Sequence, residues 1–143
     1  MKLLSIHIAP KPGVPMQSVD AATAVAGRGL EGDRNFGDSD PSHQVTLIER
    51  EAVAALGRDY GVELAPGDAR RNLVTDGVAL NHLVGREFTI GKVRLRGVRL
   101  CEPCTHLQKL TGVKVLPGLV HRGGLRAEIV TGGELKTGQE VKT

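Results

Sequence analysis

Apolar residues recur mostly at alternate positions along the chain, the period-two signature of half-buried strands. Leu4-Ser5-Ile6-His7-Ile8 alternates and reads as a first strand. Ala9 to Pro15 holds three prolines and one glycine and reads as a loop. Val19 to Ala26 is small and apolar and predicts a second strand, and Gly27 to Pro41, with four glycines and four acidic residues, predicts a long polar loop. His43 to Ile48 reads as a strand with Val45, Leu47 and Ile48 apolar. Glu49 to Tyr60 is the clearest helix. Ala52, Val53, Leu56 and Tyr60 share one face, Glu49 and Glu51 occupy the first turn, and Gly61 is placed to end it.

Further on, Asn72 to Thr75 predicts a short strand and Leu80 to Val84 one helical turn before Gly85. Glu87 to Leu100 is strand-rich and interrupted by Gly91 and Gly97. Pro103 to Leu110 reads as a short helix with Pro103 in its first turn. Leu116 to His121 carries no clear pattern, and Leu125 to Val130 and Glu140 to Lys142 are closing strands. The tally is about seven to nine short strands with two or three short helices, which predicts a mostly β, closed or partly open barrel-like fold rather than a βαβ sheet.

Length and composition narrow the function classes. At 143 residues, with no repeat, low-complexity stretch or linker, the chain reads as a single domain over 1–143. Aromatics are only 2% (Phe36, Phe88 and Tyr60, with no Trp), so the core must be aliphatic and a base-stacking nucleic-acid platform is not expected. The net charge is +3 and the pI about 9.1, with basic residues scattered except at Arg70-Arg71 and the Arg94/Arg96/Arg99 alternation. That bias suits a phosphorylated small ligand at least as well as nucleic acid. No stretch approaches the ~18 apolar residues of a membrane span, and the N-terminus has neither the apolar run nor the cleavage site of a signal peptide. A cytoplasmic location is therefore expected, with Cys101 and Cys104 reduced at rest.

Three motifs are weighed on chemistry. Gly27-Arg28-Gly29-Leu30-Glu31-Gly32 matches G-x-G-x-x-G, but no helix can follow it before Pro41, so the dinucleotide reading fails. In the same loop Arg34 stands beside Glu31 and Asp33, either as a structural ion pair or as a guanidinium fork aimed at an anionic ligand. Asp38-x-Asp40 with Glu49 imitates a calcium loop, yet His43 replaces the required glycine and Pro41 intrudes. Arg70-Arg71-Asn72-Leu73 lies between a Pro-Gly turn and a strand and reads either as solvated charge or as a phosphate clamp.

Cys101-Glu102-Pro103-Cys104-Thr105-His106 is the densest chemistry. A structural zinc needs four ligands, and only His106 and His121 supplement the thiols. A thioredoxin-type pair expects a βαβ context that the pattern lacks. A single functional thiol remains, with Cys104 in the first turn of a helix opened by Pro103, where the dipole raises the thiolate fraction. The alternative is two buried cysteines packed as small hydrophobes.

Taken in order, Gly29-Leu30-Glu31-Gly32-Asp33-Arg34, Gln44-Val45-Thr46-Leu47-Ile48, Pro66-Gly67 before Arg71-Asn72-Leu73, Gly85 with Ile90-Gly91, Pro103-Cys104, Gly123-Gly124-Leu125-Arg126-Ala127, and Gly133 with Gly138 resemble the MOSC domain. This module forms the C-terminus of molybdenum-cofactor sulfurases and also occurs as stand-alone bacterial proteins. The resemblance runs from Ser5 to Val141. It implies a β-rich barrel-like fold, transient binding of a molybdopterin-type molybdenum cofactor, and sulfur carriage as a persulfide on the cysteine of the Pro-Cys pair, here Cys104. In larger relatives that cysteine ligates molybdenum and the protein reduces N-hydroxylated bases or amidoximes, which stands as the alternative activity, beside a non-catalytic binding module. The resemblance further implies that Arg34, Arg71 and Arg70 hold the cofactor phosphate, that Asn72 and His121 bond the pterin or tune the thiol, and that Gly123-Gly124 permits close backbone approach to a ligand. The chain lacks the pyridoxal-phosphate-dependent desulfurase domain, so neither that cofactor nor desulfurase activity is expected of it. A separate cysteine desulfurase as sulfur donor and a molybdoenzyme as acceptor are the implied partners.

Overall fold

A computed structural model describes residues 1–61, 63–101 and 122–143. Eleven strands lie among them: β1 Lys2–Ile8, β2 Gln17–Val19, β3 Ala21–Val25, β4 Gly29–Leu30, β5 Val45–Glu49, β6 Leu73–Asp76, β7 Glu87–Ile90, β8 Val93–Leu100, β9 Leu125–Thr131, β10 Gly133–Lys136 and β11 Val141–Lys142. One α-helix, α1 Arg50–Tyr60, and three 3-10 turns, Pro41–His43, Pro66–Ala69 and Leu80–Leu83, complete the described elements.

Eight strands form one sheet in the order β11-β7-β8-β9-β5-β6-β1-β2, and β10-β3-β4 form a second. Every pairing is antiparallel except β5 with β6, which α1 connects as a crossover. The large sheet curls until the start of β1, next to the edge strand β2, reaches the chain at β11 on the opposite edge. Lys2 bridges Glu140, Leu3 N–H donates to the Gln139 carbonyl at 2.9 Å, and Val141 N–H donates to the Met1 carbonyl at 2.9 Å. Contact is confined to this corner, so the barrel is partly open.

Residue alternation separates an inner core from an outer one. Leu3, Ile6, Leu47, Leu73, Leu95 and Leu125 point into the barrel, where Phe88 is the one aromatic of a cluster that is otherwise aliphatic. On the outer face Ile48 and Val74 meet Ala52 and Leu56 of α1 and Ala69 of the 66–69 turn. Both faces of β5 are thus covered, which is why Val45 to Ile48 are all buried. Gly61 ends α1 with a left-handed φ of 68°, and its N–H returns to Gly57 and Leu56.

The sequence pattern differs from the structure in four places. Val19 to Ala26 is two strands rather than one, because the chain changes sheets at Asp20: β2 joins β1 while β3 joins β4 and β10. The polar loop contains β4, too short for alternation to register. Gly133–Lys136 is a strand that its glycines disguised. The strand expected from His43 begins only at Val45, because Pro41–His43 is a 3-10 turn. The expected Pro103–Leu110 helix lies outside the described residues.

Candidate functional site

Strand register lines up polar residues on the outer face of the large sheet. Arg99 on β8 faces Arg126 on β9, Arg126 faces Thr46 on β5, and His7 on β1 faces Ser18 on β2. Asn72, one residue before β6, fills the gap between Thr46 and His7. Its Oδ1 accepts the Thr46 N–H at 3.0 Å and the Thr46 hydroxyl at 3.2 Å, and its Nδ2 donates to the His7 carbonyl at 3.1 Å. The carboxamide is buried and stitches β5, β6 and β1 together where their backbone ladder is incomplete.

Arg71 is buried beside it, 6% exposed. Its Nε donates to the Gly123 carbonyl at 2.7 Å, Nη2 to the Cys101 carbonyl at 3.2 Å and Nη1 to the Ala69 carbonyl at 3.4 Å. Cys101 is also buried, and its N–H donates to the Gly124 carbonyl at 2.7 Å. At Gly124 φ is 113°, and a Cβ would collide with the Leu47 carbonyl oxygen. The close approach this glycine permits is therefore to the neighbouring strand.

A groove of about 610 Å³ opens between the β1–β2 hairpin and the 66–70 segment. Ser5, His7 and Ser18 line its sheet side, Pro15 and Met16 its hairpin side, and Gly67, Asp68 and Arg70 the opposite wall. His7 is buried, its Nε2 lies 2.8 Å from Ser5 Oγ, and a side chain at Gly67 would press on Nδ1 at 3.1 Å. Burial lowers the pKa of His7, partly opposed by the charge of Asp68. The neutral imidazole is thereby favoured.

Arg70 occupies the left-handed region at φ 58°, among the described residues the one non-glycine residue with positive φ. The strain is about 1–2 kcal/mol for an L-residue. Its Nη1 donates to the Val14 carbonyl at 2.7 Å, fixing the guanidinium against the hairpin that walls the groove. Burial, and then the like charge of Arg34, lower its pKa. Arg34 is held by its own partners: Nη1 lies 3.1 Å from Asp33 Oδ1 and 3.3 Å from the Met16 sulfur. Asp33, its side chain fully buried, accepts the Ala9 N–H at 3.1 Å and the Asn35 N–H at 3.3 Å. Arg34 is thus the ion-pair partner of Asp33, and its charge extends to Arg70.

The sequence-selected residues fall into three groups. Arg70 lines the groove, and the charge of Arg34 reaches it. Arg71, Asn72, Gly123 and Gly124 meet behind it as scaffold contacts. Cys104 and His121 lie outside the described residues. Sequence reasoning missed Ser5, His7, Ser18 and Asp68. The available signal was the polar alternation Ser5-x-His7 opposite core Ile6, but the pairing that brings residues 66–70 across from it is long-range. Among the described residues no three His, Cys, Asp or Glu side chains gather as a metal site.

The MOSC domain family model matches residues 31–142. The fold is similar to that of the YuaD protein from Bacillus subtilis, with a TM-score of 0.83 and 18% identity over 98% of this chain and 93% of that one. It is also similar to YiiM from Geobacillus stearothermophilus, with a TM-score of 0.79 and 14% identity over 99% and 73% of the two chains. YiiM from Escherichia coli gives a TM-score of 0.72 and 19% identity over 99% and 69%. No curated protein matches the chain in sequence.

Proposed function

The chain belongs to the MOSC domain family, which is associated with molybdenum-cofactor binding, and on that premise we propose that it holds a molybdopterin-type cofactor by its phosphate and carries sulfur on Cys104. The observation that carries this reading is Arg70 in the wall of the groove, its guanidinium anchored to the Val14 carbonyl, with the like charge of Arg34, itself anchored to Asp33, reaching it. Guanidinium forks match a phosphate, and about 610 Å³ is within the ~300–1,000 Å³ of small-ligand pockets.

In this reading Arg34 and Arg70 bind the phosphate, and Ser5, Ser18 and His7 offer polar groups to the pterin. Arg71 and Asn72 act as positioning residues, Arg71 through the Cys101 and Gly123 carbonyls that flank residues 102–121, and His121 tunes the thiol. When bound, the cofactor would supply a molybdenum centre suited to a soft thiolate ligand such as Cys104. Sulfur loading is an exchange at that thiol. The Cys104 thiolate attacks the outer sulfur of a donor persulfide, a new S–S bond forms, the donor's S–S bond breaks, and the donor leaves as a thiolate. A cysteine desulfurase is the expected donor and a molybdoenzyme the expected acceptor.

Molybdenum, pterin and persulfide analysis of protein made in a cofactor-competent host tests the proposal. We expect bound pterin that is lost in an Arg34→Ala, Arg70→Gly double variant, and a persulfide mass on Cys104 that is lost in Cys104→Ser but kept in Cys101→Ser. Pterin retained by the double variant overturns the phosphate assignment, and persulfide on Cys101 overturns the thiol assignment. Molybdenum-dependent turnover of an N-hydroxylated base without persulfide would replace sulfur carriage by reduction.

A further inference from the structure

We propose that Arg99 and Arg126 form a second anion site, on the outer face of β8 and β9, for a phosphate-class oxyanion. It is separate from the Arg34–Arg70 groove and does not rest on the cofactor reading. Three strand steps divide Arg126 on β9 from His7 on β1, roughly 14 Å at ~4.8 Å per step.

The first argument is charge matching within one sheet. Arg94 is ion-paired to Glu87 at 3.1 Å, and Arg96 faces Glu87 on β7 and Glu128 on β9. Arg99 breaks that pattern, because the residue directly opposite it is another arginine, Arg126. Like charges directly opposed across strands destabilise a sheet. An anion between them turns the repulsion into two attractions.

The second argument is the backbone. The register shifts between Gly97 and Arg99, so two residues of β8 answer one of β9. Without that extra residue the outward alternation of Arg94 and Arg96 would pass to Val98 and turn Arg99 toward the core. The bulge instead puts Arg99 on the outer face, exposed, opposite Arg126. Bulges are a regular means of re-aiming a side chain at a site.

The third argument is unused donor capacity. Both guanidinium groups converge on Ser42 by long bonds only, Arg99 Nη2 to Ser42 Oγ at 3.4 Å and Arg126 Nη1 to the Ser42 carbonyl at 3.3 Å. Arg126 Nε is buried and, among the described residues, has no hydrogen-bond partner. Asp40, whose charge reaches Arg99, already accepts the Ser42 N–H at 2.9 Å and the Ser42 hydroxyl at 2.8 Å through Oδ1. No carboxylate is hydrogen-bonded to either arginine among the described residues. A tetrahedral oxyanion accepts from both forks at once, which a single carboxylate from Asp40 does not do here.

Inorganic phosphate is the probe, titrated into the full chain against chloride at matched ionic strength, with thermal midpoint and side-chain 15N resonances as readouts. We expect phosphate to raise the midpoint and to shift the Arg99 and Arg126 Nε–H signals, and to do so still in the Arg34→Ala, Arg70→Gly double variant. Arg99→Glu replaces the repulsion by an ion pair, so its midpoint in phosphate-free buffer should exceed that of the parent chain while the Arg99–Arg126 phosphate response disappears. Arg126→Lys keeps the charge but not the fork and should weaken binding about tenfold. Glycerol phosphate binding more tightly at the same two resonances identifies a small phosphomonoester as occupant, and weaker binding identifies the free ion. Phosphate shifts that persist in Arg99→Glu, or midpoints equal in phosphate and chloride, overturn the site.

Discussion

The Nε of Arg71 donates to the Gly123 carbonyl at 2.7 Å, joining residues 52 positions apart in the chain. The same guanidinium holds the Cys101 carbonyl, and Cys101 N–H holds Gly124. Both ends of the 102–121 stretch, which carries Cys104, are therefore tied to one buried cation. Arg71→Lys keeps the charge but cannot span these carbonyls, leaving buried acceptors unmet. We expect a loss of about 2–4 kcal/mol, seen as a lower denaturation midpoint at unchanged m-value. A variant as stable as the parent would show that the clamp does not hold the fold.

Arg70 separates stability from binding. A left-handed Arg at φ 58° is strained, and glycine relieves that strain while losing the bond to the Val14 carbonyl. Arg70→Gly should therefore change stability by less than about 1 kcal/mol in either direction. Pterin affinity should nevertheless fall about tenfold or more, the worth of one charge-assisted contact. Calorimetric unfolding and pterin binding on the same preparation check both halves, and a parallel fall in both would make Arg70 a structural residue.

Much of the fold was legible because local signals agree with tertiary demand. The α1 boundaries, the Gly61 stop and the strands at Leu4–Ile8, Val45–Ile48 and Leu125–Val130 all follow from periodicity and turn chemistry. The site was legible only by residue type. The adjacent Arg70 and Arg71 are chemically alike in sequence, yet one turns out to the groove in a left-handed conformation and the other is buried on three carbonyls. That division depends on chain segments dozens of residues away, so no local pattern encodes it. His7 was passed over for the same reason: its groove exists only once residues 66–70 cross β1.

The Asn72–Thr46 pair should be energetically coupled. Asn72 accepts from the Thr46 backbone and hydroxyl, while Asn72 N–H donates to Thr46 Oγ1 at 3.1 Å. Asn72→Ala and Thr46→Val each leave buried polar groups unmet, so each should cost about 1–3 kcal/mol. The double variant should cost less than their sum by about 1 kcal/mol, as expected for residues in one network. Additive losses would mean that the two side chains act independently.

Gly124 and Gly138 both adopt positive φ, but only at Gly124 would a Cβ run into another strand. Gly124→Ala adds a collision with the Leu47 carbonyl to the conformational penalty and should cost more than about 3 kcal/mol or prevent soluble expression. Gly138→Ala meets open space and should cost only about 1–2 kcal/mol. Similar losses at both positions would show that the β5–β9 contact yields easily.

His7 gives the fold a defined acid-side dependence. Burial lowers its pKa below the ordinary 6.5, and the charge of Asp68 opposes that shift only in part. The unfolded chain therefore binds the His7 proton at a higher pH than the folded chain does. Between the two pKa values the unfolded state holds more protons, so stability rises with pH there. His7's contribution is fully present above about pH 6.5 and is lost as pH falls through the folded value. Other carboxylates also weaken the fold below about pH 5, so the difference between the parent and His7→Gln from pH 7.5 to 5.5 is the informative quantity. Glutamine does not titrate, so that difference should shrink steadily on acidification, with the parent losing more. Asp68→Asn removes the opposing charge, lowers the folded pKa further and should enlarge the parent-type loss at the acid end. Imidazole 1H NMR should place the His7 titration below pH 6.5 in the parent and lower still in Asp68→Asn. Parallel stability profiles for the parent and His7→Gln, or a His7 titration at or above 6.5, would mean that the groove leaves this imidazole as solvated as it is in the unfolded chain.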